Sequence, residues 1–163
     1  MKLTAGLEQA AAIVVLLATQ DTKLPLASDE ISRILEVSPS YLKKLIRKLV
    51  IQGIVNSVPG TKGGITLAKQ PEELSMLDLI EAIEGPIDMY KDTGLLNHAF
   101  KDGRYAENGT EVVKSVFAGA NHLLSQYFSS ITAADLLEKS MGNTALPKLD
   151  WNTMTLAEFL KEE

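Results

Sequence analysis

Apolar residues recur every three or four positions from about Thr4 to Thr19, and this pattern predicts a helix with a broad buried face. A second, short helix is expected to begin at Ser28, whose side chain would cap it. A third helix is predicted from Ser38-Pro39 to Gly53, because serine caps a helix, proline suits its first turn and glycine ends it. The N-terminal third of the chain therefore predicts a helix followed by a helix-turn-helix.

Two short strands are predicted next, at residues 54–58 and 65–68, where β-branched residues flank a glycine-rich loop. The glycines of that loop, which spans residues 59–64, supply the positive φ values that a hairpin needs. A further helix is expected to open at Pro71 and to end at Gly85-Pro86. A hairpin directly after a helix-turn-helix is typical of a winged helix.

The C-terminal half has one strong helical signal. Residues 87–109 are weakly patterned and predict a mobile loop with a short helix at residues 95–100. From Thr110 to about Ser130 the chain predicts a helix of about five turns that is too apolar for a lone surface element. We expect this helix to pack against a second copy of the chain. The six residues predicted to form that interface are Val113, Val116, Phe117, Ala120, Leu124 and Tyr127.

The predicted fold is mainly α with a small β-hairpin wing: a winged helix-turn-helix domain followed by a long dimerisation helix. We expect the DNA-binding domain at residues 1–86, an effector loop at 87–109, the dimerisation helix and its successor at 110–140, and a tail at 141–163. Thr132 is expected to cap the helix after the dimerisation helix, and residues 156–160 form a short amphipathic end.

Composition removes several classes of function. The 163 residues include no cysteine, which excludes disulfides, thiolate zinc sites and cysteine-ligated iron-sulfur clusters. His98 and His122 are too few for a histidine-rich metal centre, so no metal ligand or cofactor is predicted. No catalytic residue is predicted either, since the sequence has no nucleophile elbow, Walker or dinucleotide motif.

The longest uncharged apolar run, residues 10–18, is much shorter than the roughly 18 residues of a membrane-span candidate. Because Glu8 and Gln9 precede this run and no cleavage pattern follows it, we interpret it as a buried first helix rather than a secretory signal. We therefore expect a cytoplasmic protein with no membrane partner.

Charge is unevenly distributed along the chain. The formal net charge is −5, yet residues 37–71 contain six basic and no acidic residues, so the remainder carries −11. This segment is the one predicted to form the third helix and the wing, the two elements that a winged helix-turn-helix presents to DNA. A solvated basic helix face is the alternative interpretation, but the order of elements favours DNA.

Eight residues are therefore candidates for DNA contact. A recognition helix enters the major groove by its N-terminal end, so Ser38, Ser40, Tyr41 and Lys44 are expected near base edges or the nearest phosphates. The other four, expected to bind phosphates or to reach the flanking minor groove, are Lys43, Arg47, Lys48 and, at the tip of the wing, Lys62.

At these positions the chain resembles the family of winged helix-turn-helix regulators that includes IscR, NsrR and CymR. The similar segments are the start at residues 1–4, the recognition helix and first wing strand at 37–42 and 45–55, the wing at 60–68, the following helix at 71–74 and 81–86, and residues 130–137. The family's wing arginine is replaced here by Pro59, and the three cysteines of cluster-binding members are absent from residues 88–110.

The resemblance implies a bacterial homodimeric regulator, expected to act as a repressor, that binds an inverted-repeat operator without an iron-sulfur cluster. Its loop offers Tyr90, His98, Arg104 and Tyr105 as a lining for a protein or small-molecule effector, although His98 is more simply interpreted as a surface or helix-packing residue. A second interpretation is a winged-helix protein-interaction module that has lost sequence-specific DNA binding. A third keeps DNA binding and adds a metabolic enzyme as a modulating partner.

Overall fold

The fold is known from a computed structural model that describes residues 3–21, 24–99, 106–142 and 147–162. Its helices and strands are α1 (Ala5–Thr19), α2 (Ser28–Ile34), α3 (Pro39–Ile51), β1 (Val55–Val58), β2 (Gly64–Leu67), a 3-10 helix (Pro71–Glu73), α4 (Met76–Glu84), α5 (Leu95–Ala99), α6 (Ala106–Ser129), α7 (Ala133–Met141) and α8 (Leu156–Glu162). The predicted fold class, mainly helical with a two-stranded wing, is confirmed.

The core lies where α1 meets α3 and α4. Ile13 on α1, Leu42 and Leu49 on α3 and Ile80 on α4 are almost fully buried, and their side chains belong to one hydrophobic cluster. Leu26, in the segment between α1 and α2, is buried in the same cluster. Because α3 contributes four buried residues to this core, its opposite face is fixed toward solvent.

The wing is an antiparallel hairpin in which Val55 pairs with Leu67 and Val58 with Gly64. Leu26 extends it, since its amide donates to the Ile65 carbonyl at 3.0 Å and its carbonyl accepts from the Ile65 amide at 2.8 Å. The segment before α2 is therefore tied to the wing, a pairing that the sequence did not indicate.

Three predicted boundaries are wrong. Ser28 does not cap α2: it is the first helical residue, and Ala27 occupies the N-cap. The helix expected from Pro71 is broken into the 3-10 helix and α4, because Ser75 starts a new helix with a capping box to Asp78. The long helix begins at Ala106, earlier than expected.

The two caps predicted at Ser38 and Thr132 are confirmed. The Ser38 hydroxyl accepts from the Tyr41 amide, and Thr132 forms a reciprocal capping box with Asp135. The short helix predicted in the loop is present as α5, while the last residue of that prediction, Phe100, lies outside the described residues. Within the described ranges, no helix is both long and apolar enough to cross a membrane.

Candidate nucleic-acid interface

The third helix presents a cationic face to solvent. Ser40, Lys43, Lys44 and Arg47, called here the basic face, are all exposed and lie on the side of α3 opposite its buried residues. Its three cations, Lys43, Lys44 and Arg47, take part in no salt bridge within the described part of the chain. The basic face is therefore an uncompensated positive surface of the kind that attracts phosphates.

Two predicted contact residues, Tyr41 and Lys48, lie on the flank of α3 and turn toward its neighbours. The Lys48 ammonium donates to the carbonyl oxygen of Ile83 at 2.7 Å, near the C-terminal end of α4. The Tyr41 hydroxyl is so close to Gly6 that a Cβ there would lie 3.4 Å from it. Lys48 thus neutralises the partial negative charge at a helix C-terminus, and its ammonium is already engaged.

A third contact, between α4 and the N-cap of α1, joins the contacts of Lys48 and Tyr41, and we call these three contacts the joint between α1, α3 and α4. The Glu84 carboxylate accepts from the amide and the hydroxyl of Thr4, at 2.8 and 2.6 Å, and so fastens the end of α4 to the N-cap of α1. These hydrogen bonds, aided by the nearby charge of Lys48, hold the pKa of Glu84 below its ordinary value. The joint fixes the basic face relative to the rest of the domain.

Lys62 lies exposed at the tip of the wing, in the turn between β1 and β2. The turn is tight, with the Gly63 amide donating to the Gly60 carbonyl at 3.0 Å. A Cβ at Gly63 would overlap the Val58 carbonyl, and one at Gly64 would overlap the Leu26 carbonyl. Both positions require glycine because other backbone segments approach them so closely. The sixth basic residue of the segment, Lys69, pairs instead with Asp78 at 3.7 Å.

The long helix α6 has two apolar faces. Phe117 stacks on Tyr90 with ring centroids 4.9 Å apart, and Leu124 packs against the core, so the face they share with Val113 is turned toward the same chain. The other face carries Val112, Val116, Leu123 and Tyr127, which are 61 to 66% exposed and are called here the apolar stripe.

The six predicted interface residues therefore divide between the two faces. Val116 and Tyr127 belong to the apolar stripe, Ala120 lies beside it and is half-buried, and the other three lie on the inner face. The other two residues of the apolar stripe, Val112 and Leu123, are not among the six, because a helical apolar pattern alone cannot distinguish an inner face from an outer one.

A small cleft lies between residues 88–92 and α6. It has a volume of about 270 Å3 and is lined by Asp88, Tyr90, Asp92, Lys114, Phe117 and Asn121, among others. Lys114 pairs with Asp92 at 3.4 Å across it. Of the loop residues predicted to line an effector site, Tyr90 borders this cleft, His98 is exposed on α5, and Arg104 and Tyr105 lie outside the described residues.

Similar proteins agree with this architecture. The family model described as Rrf2, an iron-dependent transcriptional regulator, matches residues 3–139. The chain is 31% identical over 150 residues to YffB of Lactococcus lactis, covering 92% of this chain and 96% of that protein, and YffB is named as a candidate HTH-type transcriptional regulator. It is 46% identical over 101 residues to YwgB of Bacillus subtilis, named likewise, a match that covers 62% of this chain and 65% of that protein.

Among solved structures, IscR of T. potens matches with a TM-score of 0.60 and 22% identity, covering 98% of this chain and 96% of that one. CymR of B. subtilis, described as the global cysteine regulator, matches with a TM-score of 0.57 and 23% identity over 83% of this chain and 95% of that one. At these identities the two structures show the fold alone.

The family description names iron, and the donor set of this chain does not fit a thiolate-held iron centre. The sequence has no cysteine, and the described residues contain no group of three or more histidine, aspartate or glutamate side chains placed to hold a metal ion. With its helix-turn-helix, its basic face and a family match over most of its length, the chain belongs to the Rrf2 family of DNA-binding transcriptional regulators.

Proposed function

We propose that this regulator binds an inverted-repeat operator as a homodimer and acts as a repressor in the cytoplasm, without an iron-sulfur cluster. The observation that carries the proposal is the uncompensated basic face of α3, which lies beside a wing ending in the exposed Lys62. A two-fold dimer would place two such faces about 34 Å, or one DNA turn, apart.

The geometry of α3 supports a division of roles among the eight candidate residues. Ser40, Lys43, Lys44 and Arg47 form the outward face, and the exposed Ser38 lies at the N-cap of α3, the end that would enter the groove. We propose that these five residues and Lys62 contact DNA directly. Tyr41 and Lys48 support the helix from its flank through α1 and α4.

The apolar stripe supports dimerisation. Four large apolar side chains on one face of α6 are more than 60% exposed. Exposing this much apolar surface to water is unfavourable, and a partner that covers it would be stabilising. A second uncovered apolar surface, a groove of about 250 Å3 between α1, α4 and α7, is lined by Val14, Val15, Leu79 and Leu136, among others. In a two-fold dimer both surfaces can be covered reciprocally by the second copy.

DNA binding is tested by selecting bound sequences from a random duplex pool and titrating the selected site at several salt concentrations. We expect a site with two-fold symmetry and an affinity that falls steeply with salt, because lysine and arginine release counterions from phosphates. Lys91→Ala, an exposed cation outside the basic face, is the matched control and should leave the salt slope unchanged. A flat salt dependence or the absence of a preferred sequence would contradict the proposal, and a stoichiometric protein partner recovered by pull-down would then favour an interaction module.

Dimerisation is tested by sedimentation of the double variant Val116→Glu and Leu123→Glu, which places two carboxylates in the apolar stripe. We expect a monomer, because an unpaired charge buried at an interface costs several kcal/mol. Ala118→Glu, on an exposed part of α6 away from the stripe, is the control and should sediment as the wild type does. If the double variant sediments like the wild type, the stripe is not the interface.

A further inference from the structure

Residues 147–155, which precede α8, lie against the C-terminal end of α1 and the start of α2. We call this segment the C-terminal strap. It lies beyond the residues matched by the family model, which end at 139. Leu149 is buried, and Trp151, the one tryptophan of the chain, packs against the hydrophobic core. The strap is thus packed on the domain rather than extended away from it.

The strap caps the C-terminus of α1, where the last carbonyls of a helix have no partner within it. The Lys148 ammonium donates to the Ala18 carbonyl at 2.5 Å, and the Leu149 amide donates to the Thr19 carbonyl at 3.1 Å. A cation at this end is also favoured by the helix dipole. The Trp151 indole N–H adds a hydrogen bond to the Thr19 hydroxyl at 3.0 Å.

The same strap caps the N-terminus of α2. Ala27 holds the N-cap and has no polar side chain, and the α2 residue that could complete a capping box, Glu30, pairs with Arg33 instead. The Asn152 side-chain oxygen accepts from the Ala27 amide at 2.8 Å, and its amide group donates to the Pro25 carbonyl at 3.2 Å. Asn152 therefore supplies, from a distant part of the same chain, the hydrogen bond that a capping box makes within one helix.

Asn152 is itself held in place by its neighbour in the strap. The Asp150 carboxylate accepts from the Gln20 side chain at 3.0 Å and from the Asn152 amide group at 2.7 Å. Burial raises the pKa of Asp150, but these hydrogen bonds outweigh it, so the pKa lies below its ordinary value and the carboxylate stays ionised. The strap thus presents a fixed acceptor to α2.

We propose that the C-terminal strap is a positioning element for the helix-turn-helix: by capping α1 and α2 together, it sets the orientation of α2 and, through it, of the basic face on α3. In a helix-turn-helix the first helix packs on the recognition helix and crosses the DNA backbone, so a change in α2 reaches the groove. The DNA-binding part of this proposal rests on the proposed function. The coupling of the strap to α2 does not.

The test uses the full-length chain and two variants. Asn152→Ala removes the cap of α2, and Leu149→Asp introduces a charge at a buried position and should detach the strap. Lys161→Ala, an exposed residue of α8, is the control. Hydrogen exchange followed by mass spectrometry reports the protection of α2, Trp151 fluorescence reports whether the strap is docked, and titration with the selected DNA at two salt concentrations reports the affinity.

For Asn152→Ala we expect the α2 amides to exchange about fivefold faster, the factor that corresponds to a lost helix cap. DNA affinity should fall by a similar factor with an unchanged salt slope, because no phosphate contact is removed. Leu149→Asp should shift Trp151 emission to the red and weaken DNA binding further.

Unchanged α2 exchange in both variants would overturn the proposal, and so would faster α2 exchange with wild-type DNA affinity. If the wild type selects no DNA, the proposed function fails, and the coupling of strap to α2 is decided by hydrogen exchange alone.

Discussion

Arg47 and Lys48 are adjacent cations on α3, and the structure predicts that replacing them changes different properties. Replacing Lys48 should lower the stability of the fold, and replacing Arg47 should weaken the salt dependence of DNA binding. Arg47 belongs to the basic face, whereas the Lys48 ammonium bonds to the Ile83 carbonyl at 2.7 Å. Methionine keeps most of the apolar stem of either side chain and removes its charge. In Lys48→Met the free energy of unfolding should fall by about 1 kcal/mol, a value below that of a buried charge-assisted hydrogen bond because Lys48 is exposed and screened by water.

A loss of about 1 kcal/mol corresponds to a melting temperature lower by about 2–4 °C in a chain of this size. Arg47→Met should leave the melting temperature within about 1 °C, since surface substitutions change stability by less than about 0.5 kcal/mol. It should instead reduce the slope of log affinity against log salt by about 0.9 for each protomer, the value for one phosphate contact.

The assay combines thermal unfolding by circular dichroism with fluorescence anisotropy on labelled DNA at four salt concentrations. Each variant serves as the control for the other, because their positions differ by one residue and their substitutions are the same. A Lys48→Met protein with the wild-type melting temperature and a reduced salt slope would refute this assignment, and Lys48 would then be a phosphate contact.

Two further predictions concern backbone space and protonation. Gly64→Ala should destabilise the chain by more than about 2 kcal/mol, because the added Cβ would overlap the Leu26 carbonyl. Gly109→Ala should stabilise the chain by about 0.5–1 kcal/mol, because no atom lies within 4 Å of the added Cβ and glycine weakens a helix. Urea unfolding measures the free energy of both variants, and equal effects would contradict the packing argument. Hydrogen bonds from Thr4 lower the pKa of Glu84 in the folded state, so its contribution to stability is present above the unfolded-state pKa and is lost as the pH falls through the lower folded-state pKa. Glu84→Gln should therefore flatten the acid limb of a stability-against-pH curve, and an unchanged limb would show that the Thr4 contact does not matter.

The local signals in the sequence predicted the elements that depend on local interactions. The periodicity of α1 and the Ser38-Pro39 start of α3 are encoded within a few residues, and both were predicted correctly. The break before α4 was missed although a signal was present, because the Ser75 and Asp78 pair has the spacing of a capping box. The placement of the basic residues on an exposed face also followed from helical spacing.

Features that depend on distant partners were not predicted. The cap of α2 comes from Asn152, which lies 125 residues after its partner Ala27, and no periodic pattern marks the strap. The role of Lys48 depends on a backbone carbonyl of α4, and a sequence pattern gives no information about such an acceptor. The interface residues on α6 stay a prediction. Which of them face the same chain could not be predicted, because the inner face of α6 is defined by Tyr90 and the core, which contact α6 only after folding.

The uneven charge distribution of the chain favours one orientation of the protein relative to DNA. A protein with a net charge of −5 should be repelled by DNA at long range, where only the total charge acts. Within about one Debye length, roughly 8 Å at physiological salt, the field of the basic face dominates, because its cations have no acidic partner in the described part of the chain. The residues outside 37–71 carry a net charge of −11, so approach by the rest of the surface is unfavourable on average. The acidic remainder therefore disfavours DNA contact through the other surfaces and favours approach by the basic face, as the proposed selective binding of an operator requires.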